Sequence, residues 1–284
     1  ESTLKSVEFK EISPKNYTTV SSYTHGVIFN EKPILIGERI NPTGKPKFRA
    51  AIADKNIDYI LREAILEEEA GAHVLDVNVG VPGIDEAEML STAVSSLQAV
   101  TNLPLQIDTA NITAMETALR RYNGKAMINS VNGKKESMET VFPLVKKYGG
   151  LVVALTLDEN GIPETAEGRV AVAEKIIARA SEYGIGKNEI IVDPLAMAVS
   201  SDSDSANTTL KAVKMLHDMG IKTSLGVSNI SFGSIVAPAT SSAPGLYAVK
   251  SMSGIYIHEY TVNATVDTAI SENETYFFLV VSPR

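Results

Sequence analysis

The sequence contains no cysteine, and only four of its 284 residues are histidine. Without cysteine the chain can form neither a disulfide framework nor a thiolate metal site. The absence suits a reducing compartment, and we expect a cytoplasmic location. The histidines show no pair at metal-ligand spacing, so we expect no resident metal. They are His25, His73, His217 and His258.

The sequence also lacks a positive charge balance and any long apolar run. The net charge of −8 disfavours nucleic acid or an anionic membrane surface as a partner. No apolar run approaches the roughly 20 residues of a membrane span, and no signal-peptide pattern opens the chain. The first residue is Glu1 rather than Met, so we expect a processed chain or a part of a longer one.

Short apolar runs alternate seven times with stretches of helical periodicity from Pro33 onward. The runs are nearly continuous in apolar residues, which indicates parallel strands buried on both faces. Crossovers of about 25–40 residues and the absence of a GxGxxG turn favour a (β/α)₈ TIM barrel over an open sheet. The predicted strands are 34–37, 73–79, 103–108, 126–130, 151–157, 190–193 and 223–228.

The two ends of the chain do not share this alternation. Residues 1–32 lack periodicity, and we predict a linker or arm there, followed by one barrel domain over 33–284. Residues 234–284 are atypical, because Pro238 and Pro244 interrupt them and no amphipathic helix is evident. The apolar runs 254–257 and 276–281 are the two candidates for an eighth strand.

Carboxylates and carboxamides follow nearly every predicted strand. Because barrel enzymes carry their chemistry at the C-terminal ends of strands, these side chains are expected to form one ring. Each could instead cap a helix or form a turn, since Asp and Asn favour both. The ring offers no Lys for a Schiff base and no Ser–His pair. The members are Glu38, Asp76, Asn78, Asp108, Asn129, Asp193 and Asn229.

Side chains of this kind suit a neutral heterocycle with alternating donors and acceptors. An aminopyrimidinone, the polar half of a pterin, presents N–H groups to carboxylates and a carbonyl group to an amide. A carboxylate that accepts from two ring N–H groups forms strong charge-assisted hydrogen bonds. We therefore interpret the ring as a pterin site.

Six stretches, in order, resemble the pterin-binding methyltransferases over about residues 21–233. Within that superfamily the sequence is most similar to the folate-binding domain of cobalamin-dependent methionine synthases. The stretches are IGERINPTG (36–44), VLDVNVG (74–80), IDT (107–109), MINS (127–130), VDPL (192–195) and GVSNISFG (226–233).

The resemblance implies a methyltransferase that moves the N5 methyl group of 5-methyltetrahydrofolate to cob(I)alamin. By motif, Asp108, Asn129 and Asp193 would hold the pterin, and Asp76 and Asn78 would line the floor of the site. The catalytic Asn229 would lie beside N5 and accept a bond from protonated N5. The chain has no Asp-x-His-x-x-Gly motif, so cobalamin would come from a partner domain or corrinoid protein.

The pattern departs from the family after Gly233, where the expected Leu-Pro and folate-site Arg do not occur. Several alternatives stay open. One is a folate-binding module without independent turnover, and another is a methyltetrahydrofolate:corrinoid/iron–sulfur protein methyltransferase. Dihydropteroate synthase ranks lower, because Asn229 stands where that family has a Lys. A (β/α)₈ barrel with an unrelated substrate is the remaining possibility.

Overall fold

A parallel sheet forms the centre of the protein, as shown by a computed structural model that describes residues 16–30, 33–196, 205–226 and 279–281. Its nine strand segments are β3 (Leu35–Ile40), β4 (Val74–Val77), β5 (Leu105–Asp108), β6 (Met127–Asn132), β7 (Leu151–Leu155), β8 (Ile190–Asp193), β9 (Lys222–Thr223), β10 (Leu225–Gly226) and β11 (Leu279–Val281). They pair in the order β10-β11-β3-β4-β5-β6-β7-β8-β9, and each is parallel to its neighbours.

The sheet closes on itself, because its two end segments are neighbours in the chain. Only Ser224 separates β9 from β10, and its backbone N–H donates to Val192 O at 2.8 Å. Together β9 and β10 form one strand position, and β11 fills the place between β10 and β3. The expected (β/α)₈ architecture is confirmed. Of the two candidate runs for the eighth strand, 276–281 contains β11, and 254–257 lies outside the described residues.

Seven helices are described, and local capping fixes several of their starts. Asp85 accepts from the Glu88 N–H at the start of α3, and Thr165 accepts from the Gly168 N–H at the start of α6. The helix α5 ends at Gly149, whose φ of 69° suits a residue without a Cβ. The bounds are α1 (Pro46–Ala53), α2 (Ile57–Glu69), α3 (Glu86–Leu97), α4 (Ile112–Arg121), α5 (Lys135–Tyr148), α6 (Ala166–Glu182) and α7 (Ser205–Asp218).

Helical periodicity between the seven predicted strands indicates six helices, which match α2 to α7, but it misses α1. Lys45 lacks a side-chain capping bond, and Pro46 occupies the first helical turn. The short helix buries Phe48 and Ile52 against the barrel. With only eight residues, it offers about two turns of pattern, which is too little for periodicity to register.

A β-hairpin covers the N-terminal end of the barrel. Its strands are β1 (Thr19–Ser21) and β2 (Gly26–Ile28), paired antiparallel. The buried Val20 and Val27 belong to the same apolar cluster as Met127, Leu151 and other residues near the starts of barrel strands. This hairpin lies within the predicted arm and is joined to the barrel, since the Ser21 N–H donates to Lys125 O at 3.0 Å. The domain boundary at residue 32 stays a prediction.

Most of the apolar core lies between the barrel and its helices, where Leu90, Ile107, Phe142 and Val192 are fully buried. The C-terminal ends of the strands, at the end of the barrel opposite the hairpin, are therefore available for polar side chains. Within the described residues, no helix is both long and apolar enough to cross a membrane.

Candidate functional site

Five of the six predicted site residues lie at the C-terminal end of the barrel. Asp108 and Asp193 are the last residues of β5 and β8. Asp76 lies within β4, Asn78 follows it, and Asn129 lies in β6. The sixth residue, Asn229, lies outside the described residues.

Asn78, Asp108 and Asn129 form a continuous row across three neighbouring strands. The side-chain amide of Asn78 donates to Asp108 Oδ2 at 3.0 Å. Asp108 and Asn129 are directly paired in the register of β5 and β6, and the Thr109 N–H donates to Asn129 O at 3.1 Å. The peptide bond between Asn129 and Ser130 is cis. All three side chains of the row are half-buried, so they are held by the protein and still reachable from the mouth of the barrel.

Asp76 lies deeper than this row, with only 3% of its surface exposed. Gln106, its register partner on β5, donates its amide to Asp76 Oδ1 at 2.5 Å. Burial raises the pKa of Asp76 well above its usual value, and the negative charge of Asp108 raises it further. Asp76 therefore lies below the row and is held from the neighbouring strand by Gln106.

The pKa of Asp108 is raised by burial, while the hydrogen bond from Asn78 opposes the rise. The charge of Glu86, at the start of α3, raises this pKa as well. Thr109 connects the two elements, because its hydroxyl donates to Glu86 Oε1 and also accepts from the Asn111 N–H at 2.9 Å. A ligand that donates N–H groups to Asp108 would favour the ionised carboxylate.

Asp193 is half-buried on the far side of the mouth. Its Oδ1 accepts from the Leu195 N–H at 2.7 Å, which bends the chain back after β8. Burial raises the pKa of Asp193 to about 6, and the charge of Glu38 also acts to raise it. At neutral pH the carboxylate is mostly ionised and can accept hydrogen bonds from a ligand.

Glu38 lies in an irregular part of β3. The register of β3 against β4 shifts between Gly37 and Ile40, and the Arg39 N–H donates to Glu67 Oε1 at 2.6 Å instead of to a strand. Gly37 permits this approach, because a Cβ there would lie 2.6 Å from the Glu67 carboxyl group. The negative charge of Glu38 raises the pKa of both Asp76 and Asp193, so Glu38 acts on the same site as these two residues.

Glu67 is itself a buried acid, with 2% of its surface exposed. Its Oε2 atom has no hydrogen-bond partner within the described part of the chain. Burial raises the pKa of Glu67 to about 8, although the Arg39 N–H and the nearby Lys45 act in the opposite direction. Lys45 donates to Glu38 O at 2.9 Å and to Arg39 O at 3.1 Å, so it braces the same segment.

The arrangement presents oxygen acceptors and amide groups to a ligand. Within the described residues, no three His, Asp or Glu side chains come together as a metal site. A separate groove of about 390 Å³ beside the β7–α6 connection is lined by Asp158, Pro163 and Lys175, among others, and includes none of the predicted site residues.

Two residues that support the site were missed by the sequence reasoning. Gln106 precedes Asp108 by two positions in an otherwise apolar strand, so it faces the same side as Asp108. Arg169 lies near the start of α6, where the helix dipole disfavours a cation. Two signals in the sequence could have revealed them. Gln106 is a polar residue two positions before a predicted site residue, and Arg169 is a cation at the N-terminal end of a predicted helix.

A family model described as "Pterin binding enzyme" matches residues 37–270. The chain is 31% identical to the methionine synthase of Mycobacterium leprae (strain TN) over 266 residues. That alignment covers 89% of this chain and 21% of the relative, so the chain spans about a fifth of that protein. The chain is also 30% identical over 204 residues to the methylcorrinoid:tetrahydrofolate methyltransferase of Eubacterium limosum. This second alignment covers 70% of this chain and 75% of that relative.

A solved structure shares the fold at low sequence identity. The dihydropteroate synthase of Xanthomonas albilineans with 4-aminobenzoic acid superposes with a TM-score of 0.58. The identity is 21%, and the superposition covers 74% of this chain and 78% of that chain. At that identity the likeness concerns the barrel alone.

Proposed function

Because the chain belongs to the family of pterin-binding enzymes, as a domain of the methyltransferase type, we propose that it binds 5-methyltetrahydrofolate and transfers the N5 methyl group to cob(I)alamin. The corrinoid is carried by another domain or protein. The folate is the substrate of this chain, and the barrel mouth is its binding site.

The observation that carries the proposal is the pair of Asn78 and Asp108. The bond from Asn78 holds one carboxylate oxygen of Asp108 and fixes the direction in which the group faces. Asn129 lies beside it on the next strand, and Asp193 supplies a second carboxylate across the mouth. Two acceptors and an amide around one barrel mouth complement the N–H groups and the carbonyl group of a pterin.

The transfer needs a proton at the atom that loses the methyl group. The bond between the methyl carbon and N5 breaks with its electron pair left on N5, and N5 is a poor leaving group unless it is protonated. We assign Asn229 to this atom on the strength of its motif, with its side-chain oxygen accepting from protonated N5. That bond strengthens as positive charge develops, which lowers the barrier rather than only tightening binding. The partner's corrinoid supplies the nucleophile that takes the methyl group.

The same site could also serve the opposite direction. The relative from Eubacterium limosum is named for a methylcorrinoid donor and a tetrahydrofolate acceptor. A site that stabilises the transition state for transfer accelerates the reaction both ways, so the direction depends on the partner and on the concentrations of both substrates.

The experiment is a comparison of binding and turnover in the purified protein. Calorimetry measures the affinity for 5-methyltetrahydrofolate, and the spectrum of free cob(I)alamin reports methyl transfer. Binding together with transfer supports the proposal. Binding without transfer favours the alternative of a folate-binding module, and absence of binding contradicts both.

A further inference from the structure

Arg169 is a buried arginine that the proposed methyl transfer does not use. Only 3% of its surface is exposed, and it lies near the N-terminus of α6, where the helix dipole disfavours a cation. Burying a guanidinium group is costly unless its donors are satisfied. The hydrogen bonds that satisfy these donors therefore indicate what the buried side chain does.

The guanidinium group bonds to three separate parts of the chain. Nη1 donates to Pro194 O at 3.0 Å, to Leu195 O at 2.9 Å and to Thr209 Oγ1 at 2.8 Å. Nε donates to Pro163 O at 3.0 Å. In this way one side chain ties the segment before α6 and the helix α7 to the turn that follows β8. These acceptors are all uncharged oxygens.

The turn after β8 is the segment that orients Asp193. The Leu195 N–H donates to the Asp193 carboxylate, while the Leu195 carbonyl group accepts from Arg169. Leu195 has a φ of +63°, a left-handed conformation that is unfavourable for a residue with a Cβ. Such a conformation persists only where surrounding contacts hold it, and Arg169 supplies two of them on adjacent carbonyl groups.

We propose that Arg169 is a positioning residue, which locks the turn from Asp193 to Leu195 and thereby aims the Asp193 carboxylate into the pterin site. The inference rests on the proposed function for its consequence, since Asp193 is the residue that would meet the pterin. Arg169 itself does not touch the ligand. Its effect on the substrate runs through one backbone turn.

The geometry requires arginine rather than any cation. The planar guanidinium group presents five N–H donors in fixed directions and reaches several carbonyl groups at once. A lysine ammonium group is a single nitrogen on a flexible stem and cannot bridge Pro163 O to both Pro194 O and Leu195 O. The charge also helps, because burial raises the pKa of Asp193 to about 6 and the nearby Arg169 opposes that rise.

The test compares Arg169→Lys with Arg179→Lys, a matched control on the same helix whose side chain is 36% exposed. Three quantities are measured: the Kd for 5-methyltetrahydrofolate, the kcat for methyl transfer to free cob(I)alamin at saturating folate, and the exchange rate of the Leu195 amide hydrogen. For Arg169→Lys we expect Kd and Leu195 exchange each to rise about tenfold, with kcat within about threefold of wild type. Arg179→Lys should leave all three unchanged.

Thr209→Val is the second variant, because it preserves the shape of the side chain but removes one acceptor of Arg169 and a hydroxyl group that itself donates to Leu195 O at 3.3 Å. It should raise Kd and Leu195 exchange by a smaller factor, in the same direction. If Arg169→Lys fails to fold, Thr209→Val tests the same set of contacts on the turn. Unchanged Kd and unchanged Leu195 exchange in the folded variant overturn the inference.

The two proposals fail in different ways. If wild-type protein does not bind 5-methyltetrahydrofolate, the proposed function is wrong, and the exchange of the Leu195 amide still tests the role of Arg169. If wild-type protein binds and transfers but Arg169→Lys behaves as wild type in both affinity and exchange, only the positioning role is wrong.

Discussion

Asn78 donates its side-chain amide to Oδ2 of Asp108 at 3.0 Å, from the end of β4 to the end of β5. The bond connects neighbouring strands at the mouth of the barrel. It fixes the orientation of the Asp108 carboxylate in addition to satisfying one of its oxygens. The bond also opposes the rise in the pKa of Asp108 that burial causes. Under the proposed function, this bond directs the Asp108 carboxylate toward the pterin.

Asp108→Ala should weaken folate binding much more than it slows transfer. A hydrogen bond to a charged group contributes about 1.5–3 kcal/mol, so we expect the Kd for 5-methyltetrahydrofolate to rise about 10–100-fold. The kcat at saturating folate should change by no more than a few fold. Calorimetry and steady-state transfer assays measure the two effects. Asp58→Ala, an exposed change on α2, is the control, and an unaltered Kd for Asp108→Ala would falsify the role of Asp108.

Asn229→Ala should lower kcat much more than it weakens folate binding, the opposite of the result for Asp108→Ala. If the amide oxygen meets protonated N5, its loss should lower kcat by about 10²–10³-fold, as for one lost transition-state hydrogen bond. Folate affinity should fall only modestly, since the contact strengthens as the reaction proceeds. Single-turnover transfer to cob(I)alamin measures the chemical step. Unchanged transfer kinetics would remove Asn229 from the mechanism.

Folate affinity should fall in acid because of Asp193. Its pKa of about 6 means that the carboxylate is ionised at pH 7 and mostly protonated at pH 5. A protonated carboxyl group is a poorer acceptor for ring N–H groups, so we expect Kd to rise about tenfold between pH 7 and pH 5 through this residue.

Asp193→Asn supplies the comparison for that pH dependence. The amide does not titrate, so the variant should bind weakly at every pH and lose the part of the pH dependence due to Asp193. Calorimetry of both proteins from pH 5 to pH 8 measures the difference. An identical pH profile in the two proteins would mean that Asp193 does not meet the ligand in its ionised form.

Glu67→Gln should change how protein stability depends on pH. Burial raises the pKa of Glu67 to about 8, above the ordinary value of 4.5 that applies in the unfolded chain. The folded protein therefore holds the proton more tightly, and this stabilisation is full below about pH 4.5 and is lost as the pH rises to 8. Gln does not titrate, and its amide oxygen can still accept from the Arg39 N–H.

The free energy of unfolding of Glu67→Gln relative to wild type should therefore improve by about 3–4 kcal/mol between pH 5 and pH 8. Urea unfolding at the two pH values measures it. Glu69→Gln removes a charge from an exposed position of the same helix and should show little change. Parallel stability curves for Glu67→Gln and wild type would contradict a raised pKa at Glu67.

The sequence predicted the strands and most of the helices because burial on both faces leaves short, continuous apolar runs, as in 151–155 and 190–192. It also predicted polar side chains at the C-terminal ends of the strands, where Asp108 and Asp193 lie, whereas Asn229 lies outside the described residues. It did not reveal the bond between Gln106 and Asp76 or the contacts of Arg169 with Pro194 and Leu195. Those depend on side-chain reach across strands and loops, which no local period encodes.

The hairpin at residues 19–28 escaped prediction for a related reason. Each of its strands has three residues, too few for alternation to stand out, and Val20 and Val27 gain burial only by meeting the barrel end. The short helix α1 was missed on the same grounds. Tertiary contacts, rather than local pattern, stabilise these elements.

The place of β11 between β10 and β3 has a consequence for how the protein is made. The strand β3 is the first barrel strand to be synthesised, and its partner β11 is the last. One edge of β3 therefore stays unpaired until residue 279 has been synthesised. Unpaired parallel edges recruit other chains, and joining segments so distant in sequence is slow. A nascent chain that stalls before residue 279 is left with two such edges.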